Sequence, residues 1–296
     1  AHLQTLRAGS RHPRGDRVKT ANTWPRGVTS WVKDRTLKIS VPFTWALPDA
    51  AQLARQRSTL WDQVLVGGPA AYLQPDHFTD IPGLQLGLRD PDALHHTNPD
   101  ATRTTYGCPN SCPFCAVPQI APAFRELADW PDRPVLIDDN LLAASQQHLD
   151  RVFDRLERHD TPDFNQGLDA RLLNDYHAER LARLNKPTIR LALDHANQRD
   201  TWQRAYDTLR KHGIFKYQIR SYALIAFNTG PDEAWDRCQW IEDHGTKALP
   251  MWYHQLDATK RNQVTPAQQQ LGWTDFDRRR IMQWFYQHKR AARGAQ

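Results

Sequence analysis

The chain has little cysteine: 296 residues hold only four. A small disulfide-stapled scaffold is therefore excluded, since such scaffolds are short and dense in cysteine. No apolar run is long enough to span a bilayer, which removes membrane-crossing readings. The first residues are polar and basic and lack the apolar stretch of a secretory signal. There is no short-period repeat and no low-complexity tract. Hydrophobic residues at 40% and charged residues at 24% suit a globular protein with a sizeable core. Unpaired, clustered cysteines fit a reducing compartment, so the expectation is a cytoplasmic protein with no membrane partner.

Three of the four cysteines fall in one run, Tyr-Gly-Cys-Pro-Asn-Ser-Cys-Pro-Phe-Cys, as Cys108, Cys112 and Cys115. The spacing C-x3-C-x2-C brings three thiolates from one loop and no fourth nearby. Structural zinc usually takes four ligands in two pairs, and here the second pair is missing; His95 and His96 lie upstream. Iron–sulfur clusters are held by cysteine thiolates, normally one per iron. Three thiolates on a four-iron cluster leave one iron open, which marks a working site rather than a structural one. The fourth cysteine, Cys238, shares a helical register with Trp235 and Ile241 and reads as core rather than as a fourth ligand.

Basic residues give a formal net charge of +6 and gather at the ends. Arg7, Arg11, Arg14, Arg17, Lys19 and Arg26 crowd the start; Arg278, Arg279, Arg280, Lys289, Arg290 and Arg293 crowd the end. With 11 tryptophans in the chain, such patches suit nucleic acid, although a solvated basic surface explains them as well.

Residues 1–35 read as irregular, or as holding a short helix. A strand over 37–43, a helix from Pro48 to Arg57 and a strand at 63–66 form a small parallel unit closed by Gly67-Gly68-Pro69, a tight exit turn or a phosphate cradle. Residues 74–104 read as a linker. Beyond it, strands at 135–137, 164 onward, 188–193, 217–227 and 249–256 alternate with helices at 145–159, 175–184, 200–212 and one carrying Trp235, Cys238 and Ile241. Thr274 caps a last basic helix with Ile281, Trp284 and Phe285 inward. Polar residues stand at the carboxyl ends of the strands, where sites in parallel barrels lie.

The cysteine run followed by five further strands resembles the radical S-adenosylmethionine (SAM) superfamily over about residues 100–262, with Phe114 at the aromatic position of that family's loop. The Asp138-Asp139-Asn140 run and Phe-Asn-Gln-Gly-Leu-Asp-Ala-Arg are similar to the branch that often carries an N-terminal cobalamin-binding-like domain. The resemblance implies a partial (β/α)6 barrel at 99–262. A shortened Rossmann-like α/β domain and linker would precede it at 1–98, and a basic helix would follow at 263–296. It implies a 4Fe-4S cluster on Cys108, Cys112 and Cys115 that reductively cleaves SAM to a 5′-deoxyadenosyl radical. It also implies an external flavodoxin- or ferredoxin-like electron donor.

The resemblance further assigns SAM contacts to Phe114, Asp138, Asp139, Asn140, Gln166, Asp169, Arg171, Asp194 and Tyr253. The family's Gly-Gly-Glu segment is replaced here by Ile137-Asp138-Asp139-Asn140, so a carboxylate serves the SAM ammonium or else caps the next helix. Arg171 pairs with the SAM carboxylate or with Asp169. The cobalamin run Asp-x-His-x-x-Gly is absent, so cobalamin is not expected. The substrate class stands open between a nucleic acid or nucleotide and a small metabolite. A non-catalytic metal module that docks nucleic acid is the third reading.

Overall fold

Short β-branched and aliphatic runs alternate along this chain with stretches whose apolar residues recur every third or fourth position. Such a sequence builds strands and helices in turn. The computed structural model describes residues 24, 27–87 and 93–291 and is an α/β structure with several parallel sheets.

The first sheet opens with an antiparallel hairpin of β1 (Thr29–Lys33) and β2 (Thr36–Ser40). Helix α1 (Leu47–Arg57), with Pro48 in its first turn, leads to β3 (Gln63–Gly67), which pairs parallel to β2. After α2 (Pro69–Leu73), β4 (Leu84–Leu86) adds parallel to β3. Leu37, Ile39, Val41, Leu47, Ala50, Val64, Val66 and Phe78 form the core of this part. Gly68 has φ +93°, and a Cβ there would stand 2.7 Å from Val41 N and O. The Gly67-Gly68 turn is thus filled by the protein's own backbone, as a strand exit.

The rest begins with α3 (Ala93–Thr97), β5 (Ala101–Thr102), β6 (Thr105–Tyr106), α4 (Val117–Ile120) and β7 (Arg125–Glu126). It continues through β8 (Val135–Leu136), α5 (Gln146–Leu156), β9 (Asp163–Phe164), α6 (Asp175–Arg183) and β10 (Ile189–Ala192). Then come α7 (Arg199–Lys211), β11 (Ile219–Ile225), α8 (Pro231–Asp243), β12 (Lys247–Trp252), α9 (Pro266–Gln270) and α10 (Asp275–Ala291). β5, β8 and β9 form one parallel sheet; β10, β11 and β12 form another. A parallel bridge from Asp163 to Thr188 joins them, so the strands stand side by side in chain order. Among the described residues the outer strands β5 and β12 do not pair with each other.

One continuous core lies under these strands. Leu149, Val152, Phe153 and Leu156 of α5 fill it, as the i, i+3, i+4, i+7 spacing requires, and Ser145 caps that helix by accepting the His148 N–H. Trp202 is fully buried and its Nε1 donates to Ser221 Oγ at 2.9 Å. Trp273, Ile281 and Phe285 carry the C-terminal segment into the same core.

The structure corrects several expectations. The stretch 1–35 contains β1, whose turn residues Asp34 and Arg35 both have positive φ (49° and 57°). That is the geometry of a two-residue hairpin, without the Asn-Gly or Asp-Gly that normally announces it. The stretch 74–104 is not a linker, since it supplies β4, α3 and β5. Two- and three-residue strands are too short to show a period. The strand expected over 217–227 is Ile219–Ile225, preceded by a 3-10 turn at Lys216–Gln218, and the last strand ends at Trp252. Trp284 is 41% exposed rather than inward, leaning on the Trp235 ring at 5.5 Å. Thr274 does cap α10, accepting the Asp277 N–H at 3.2 Å.

Arg237, on α8, shows no exposed surface; it makes two bonds of 3.0 Å to Glu233 and one of 2.7 Å to the Leu193 carbonyl, beside Asp194. Replacing Arg237 by Met should cost about 2–3 kcal/mol in urea unfolding, because a buried carbonyl and a carboxylate lose a charged donor. An unchanged midpoint and slope would show that the contact adds nothing to stability.

Candidate functional site

The cysteine run leaves β5 and is drawn shut by the antiparallel pair of β6 and β7. Gly107, just before Cys108, has φ +77°, and a Cβ there would meet Ala123 O at 2.5 Å and Ala121 O at 2.8 Å. The glycine is needed for both its backbone angle and the close approach.

Two consecutive carboxylates at the end of β8 hold the entry to the loop. Asp138 is 3% exposed, and its Oδ1 accepts from Thr104 N (2.7 Å), Thr105 N (2.5 Å) and the two threonine hydroxyls (3.1 and 2.9 Å). Burial pushes the Asp138 carboxyl above its ordinary range, and the bonds from Thr105 and Thr104 and the Arg103 charge oppose this only in part. His148 Nε2 lies 3.2 Å from the Thr104 hydroxyl and backs this arrangement. Asp139 Oδ2 accepts from Arg103 Nη1 at 2.6 Å and Gly107 N at 2.9 Å. The Asp-Asp run thus ties residues 103–107 to the strand end. It does not cap the following helix, whose cap is Ser145.

The cysteines are free and half-buried. Cys108 Sγ takes hydrogen bonds from Asn110 N (3.5 Å), Asn110 Nδ2 (3.3 Å) and Asn140 Nδ2 (3.5 Å), while Cys115 Sγ takes one from Val117 N (3.4 Å). Burial pushes the Cys112 thiol up; Arg171 pulls it down, and Cys108, Asp194 and Asp169 add to the rise. The Cys115 thiol is also raised, first by burial, with Val117 N opposing and Cys112, Cys108 and Asp139 adding to it. These influences mark Asp139, Asp169, Arg171 and Asp194 as neighbours of the loop.

The other expected site residues divide. Asp169 and Arg171 form a two-pronged pair at 2.8 and 2.7 Å, so Arg171 is engaged with Asp169. Burial would raise the Asp169 carboxyl, but the Arg171 bonds and charge and the Asn140 bond outweigh it and hold it below its usual range. Asp194, past the end of β10, accepts from Leu224 N at 3.1 Å. Burial pushes its carboxyl up, against the pull of that bond, Arg237 and Arg171. Phe114 meets Phe227 edge-on at 5.5 Å, and Phe227 meets Tyr253 at 4.9 Å, which makes a row of three rings. Gln166 is exposed and stands apart from this network.

Sequence reasoning missed Asn110, Arg103, Phe227 and Arg237. Asn110 lies inside the cysteine run, where its amide was the available signal; the others become visible only once distant elements are packed together. Asn140 Oδ1 and Asp138 Oδ2 are buried acceptors with no hydrogen-bond donor.

Cys238 has no exposed surface, and burial pushes its thiol up to about 12, so it is a core residue. Arg7, Arg11, Arg14, Arg17, Lys19, Arg26 and Arg293, and the side chains of Lys289 and Arg290, lie outside the described residues. Arg278 and Arg279 bond to Asp275 on their own helix, and Arg280 lies over the Trp235 ring. No helix among the described residues is long and apolar enough to cross a membrane.

Among the described residues no three His, Cys, Asp or Glu side chains gather as ligands of a single metal ion. Cluster cysteines each serve a separate iron rather than one common point, so donor chemistry is the relevant test. Three free thiols from one loop, with N–H donors on two of them, fit an iron–sulfur cluster. No known protein-family model and no curated protein matches the chain.

Asp138→Ala should lower stability by about 3 kcal/mol, since two buried backbone N–H groups lose their acceptor, at roughly 1–3 kcal/mol each. Asp138→Asn keeps an acceptor and should cost less. Equal costs for the two variants in urea unfolding would contradict this role.

Proposed function

We propose that the chain is a radical SAM enzyme that holds a 4Fe-4S cluster on Cys108, Cys112 and Cys115. The observation that carries the reading is the position of the loop. Three free cysteines follow β5, the first of the parallel strands that stand in chain order through β12. In this reading those strands and their helices are the partial (β/α)6 barrel of that superfamily, and the β1–β4 sheet is its shortened Rossmann-like companion. Asp138, Asp139, Asn140, Asp169, Asp194 and Tyr253 follow the carboxyl ends of β8, β9, β10 and β12, the end at which parallel barrels carry their chemistry.

When bound and reduced, such a cluster supplies the electron that cleaves SAM to methionine and a 5′-deoxyadenosyl radical. This chain's residues do the rest. The three thiolates hold the metal. Asn140 offers its unpartnered Oδ1 as an acceptor for the SAM ammonium, in the place of the family's Gly-Gly-Glu segment. In this reading Asp194 takes a ribose hydroxyl. Phe114, Phe227 and Tyr253 form an apolar wall for the adenine and help to exclude water. Asp138 and Asp139 act on the loop rather than on SAM. The electron comes from an external flavodoxin- or ferredoxin-like donor. The radical abstracts a hydrogen atom from the substrate, and the basic excess of the chain suits a nucleic acid or nucleotide in that role.

Anaerobic reconstitution with iron and sulfide should give about four irons per chain. With dithionite the loaded protein should convert SAM to 5′-deoxyadenosine. Cys108→Ala, Cys112→Ala and Cys115→Ala should each abolish cluster and cleavage, whereas Cys238→Ala retains both. Added RNA or DNA pools should raise the yield if the substrate is a nucleic acid. Stoichiometric zinc with no iron under these conditions would sink the reading.

A further inference from the structure

The three cysteines are not equivalent. Asn110 Nδ2 reaches Cys108 Sγ at 3.3 Å and Asp169 Oδ2 at 3.1 Å. Asn140 Nδ2, from the end of β8, reaches the same two atoms at 3.5 and 3.0 Å. A carboxamide nitrogen carries two hydrogens, one for each acceptor. A thiolate and a carboxylate can only accept, so their placement decides which way each amide faces. Asp169 is in turn fixed on both oxygens by Arg171, at 2.8 and 2.7 Å. Two carboxamides from separate elements therefore bracket one sulfur, locked by one clamped carboxylate. Cys115 Sγ takes a single backbone donor, and none of the hydrogen bonds among the described residues ends on the Cys112 sulfur.

We propose that Asn110 and Asn140 are positioning residues that single out Cys108 and raise the reduction potential of the cluster it holds, with Asp169 and Arg171 as their anchor. The inference rests on the iron–sulfur reading above. Hydrogen bonds to ligating sulfur are one of the terms that set cluster potentials. Their donors draw charge off the thiolate, and the reduced cluster, one electron richer, gains more from this than the oxidised one. Outer contacts of this kind also fix the direction in which a ligand faces its metal. The arrangement reassigns Asp169 and Arg171 from SAM contacts to supports of a thiolate. The same carboxylate prevents either amide from turning its oxygen toward the sulfur.

The test is a dithionite titration of the reconstituted full chain, followed by electron paramagnetic resonance. Asn110→Ala and Asn140→Leu should each lower the reduction equilibrium roughly tenfold, a fall of about 59 mV for a one-electron couple. Both should keep the wild-type iron content. If Asn140→Leu, at a buried position, loads no cluster, Asn110→Ala on the half-buried loop decides. Wild-type potentials in Asn110→Ala at full iron content overturn the inference alone. A wild-type chain that takes up no iron overturns the cluster reading, and this inference with it.

Discussion

The site depends on one constraint, which is that the entry to the cysteine loop hangs from two adjacent carboxylates. Strands β5 and β8 share a ladder of two residue pairs, too short to orient the loop that leaves β5. Asp138 and Asp139 extend that register with side chains, accepting backbone N–H groups of Thr104, Thr105 and Gly107. A carboxylate that accepts from successive backbone donors does the work of a further rung. It also couples the loop to β8 and so to Asn140, the next residue, whose amide reaches Cys108. Gly107 completes the geometry, because the turn it makes passes against the backbone of 121–123 with no room for a side chain.

From this anchorage the chemistry is built in order. The loop places three thiols at one end of the parallel strands, and residues after β8, β9 and β10 place an amide, a clamped carboxylate and a second carboxylate around them. Net charge at the site is kept moderate by pairing: Arg103 stands on Asp139 and Arg171 on Asp169. The acids are therefore positioned more than free, which suits the proposed cluster, whose thiolates would concentrate negative charge. Asp194 is the exception, a largely enclosed carboxyl eased by the Leu224 N–H and by Arg237 and Arg171 nearby. In the proposed reaction it is the acid left to meet a ligand.

Much of the architecture was legible in the sequence, for identifiable reasons. The apolar period of 146–156 and the capping serine before it mark α5, and Tyr222-Ala223-Leu224-Ile225 at the end of β11 mark a strand. The hairpin of β1 and β2 was not legible, because Asp34-Arg35 adopts positive φ with no glycine or asparagine to signal it. Nor was the pair β6–β7, since ladders of two residues carry no period. At the site, Cys108, Cys112 and Cys115 were read from spacing, and Asp138 and Asp139 from their place after a strand. The partners of those acids were hidden, because Thr104, Thr105 and Gly107 lie more than thirty positions away in the chain. Trp284 shows the limit of helical register: it shares a face with Ile281 and Phe285, yet it is 41% exposed while both of those are buried.

The central claim is a cluster with one iron that no protein side chain holds. Mössbauer spectroscopy of the chain reconstituted with iron-57, recorded with and without SAM, tests it most directly. The account predicts a four-iron cluster in which one iron changes its parameters when SAM is added while the other three keep theirs. Iron sites that all stay unchanged, or a spectrum without a four-iron cluster, would contradict it.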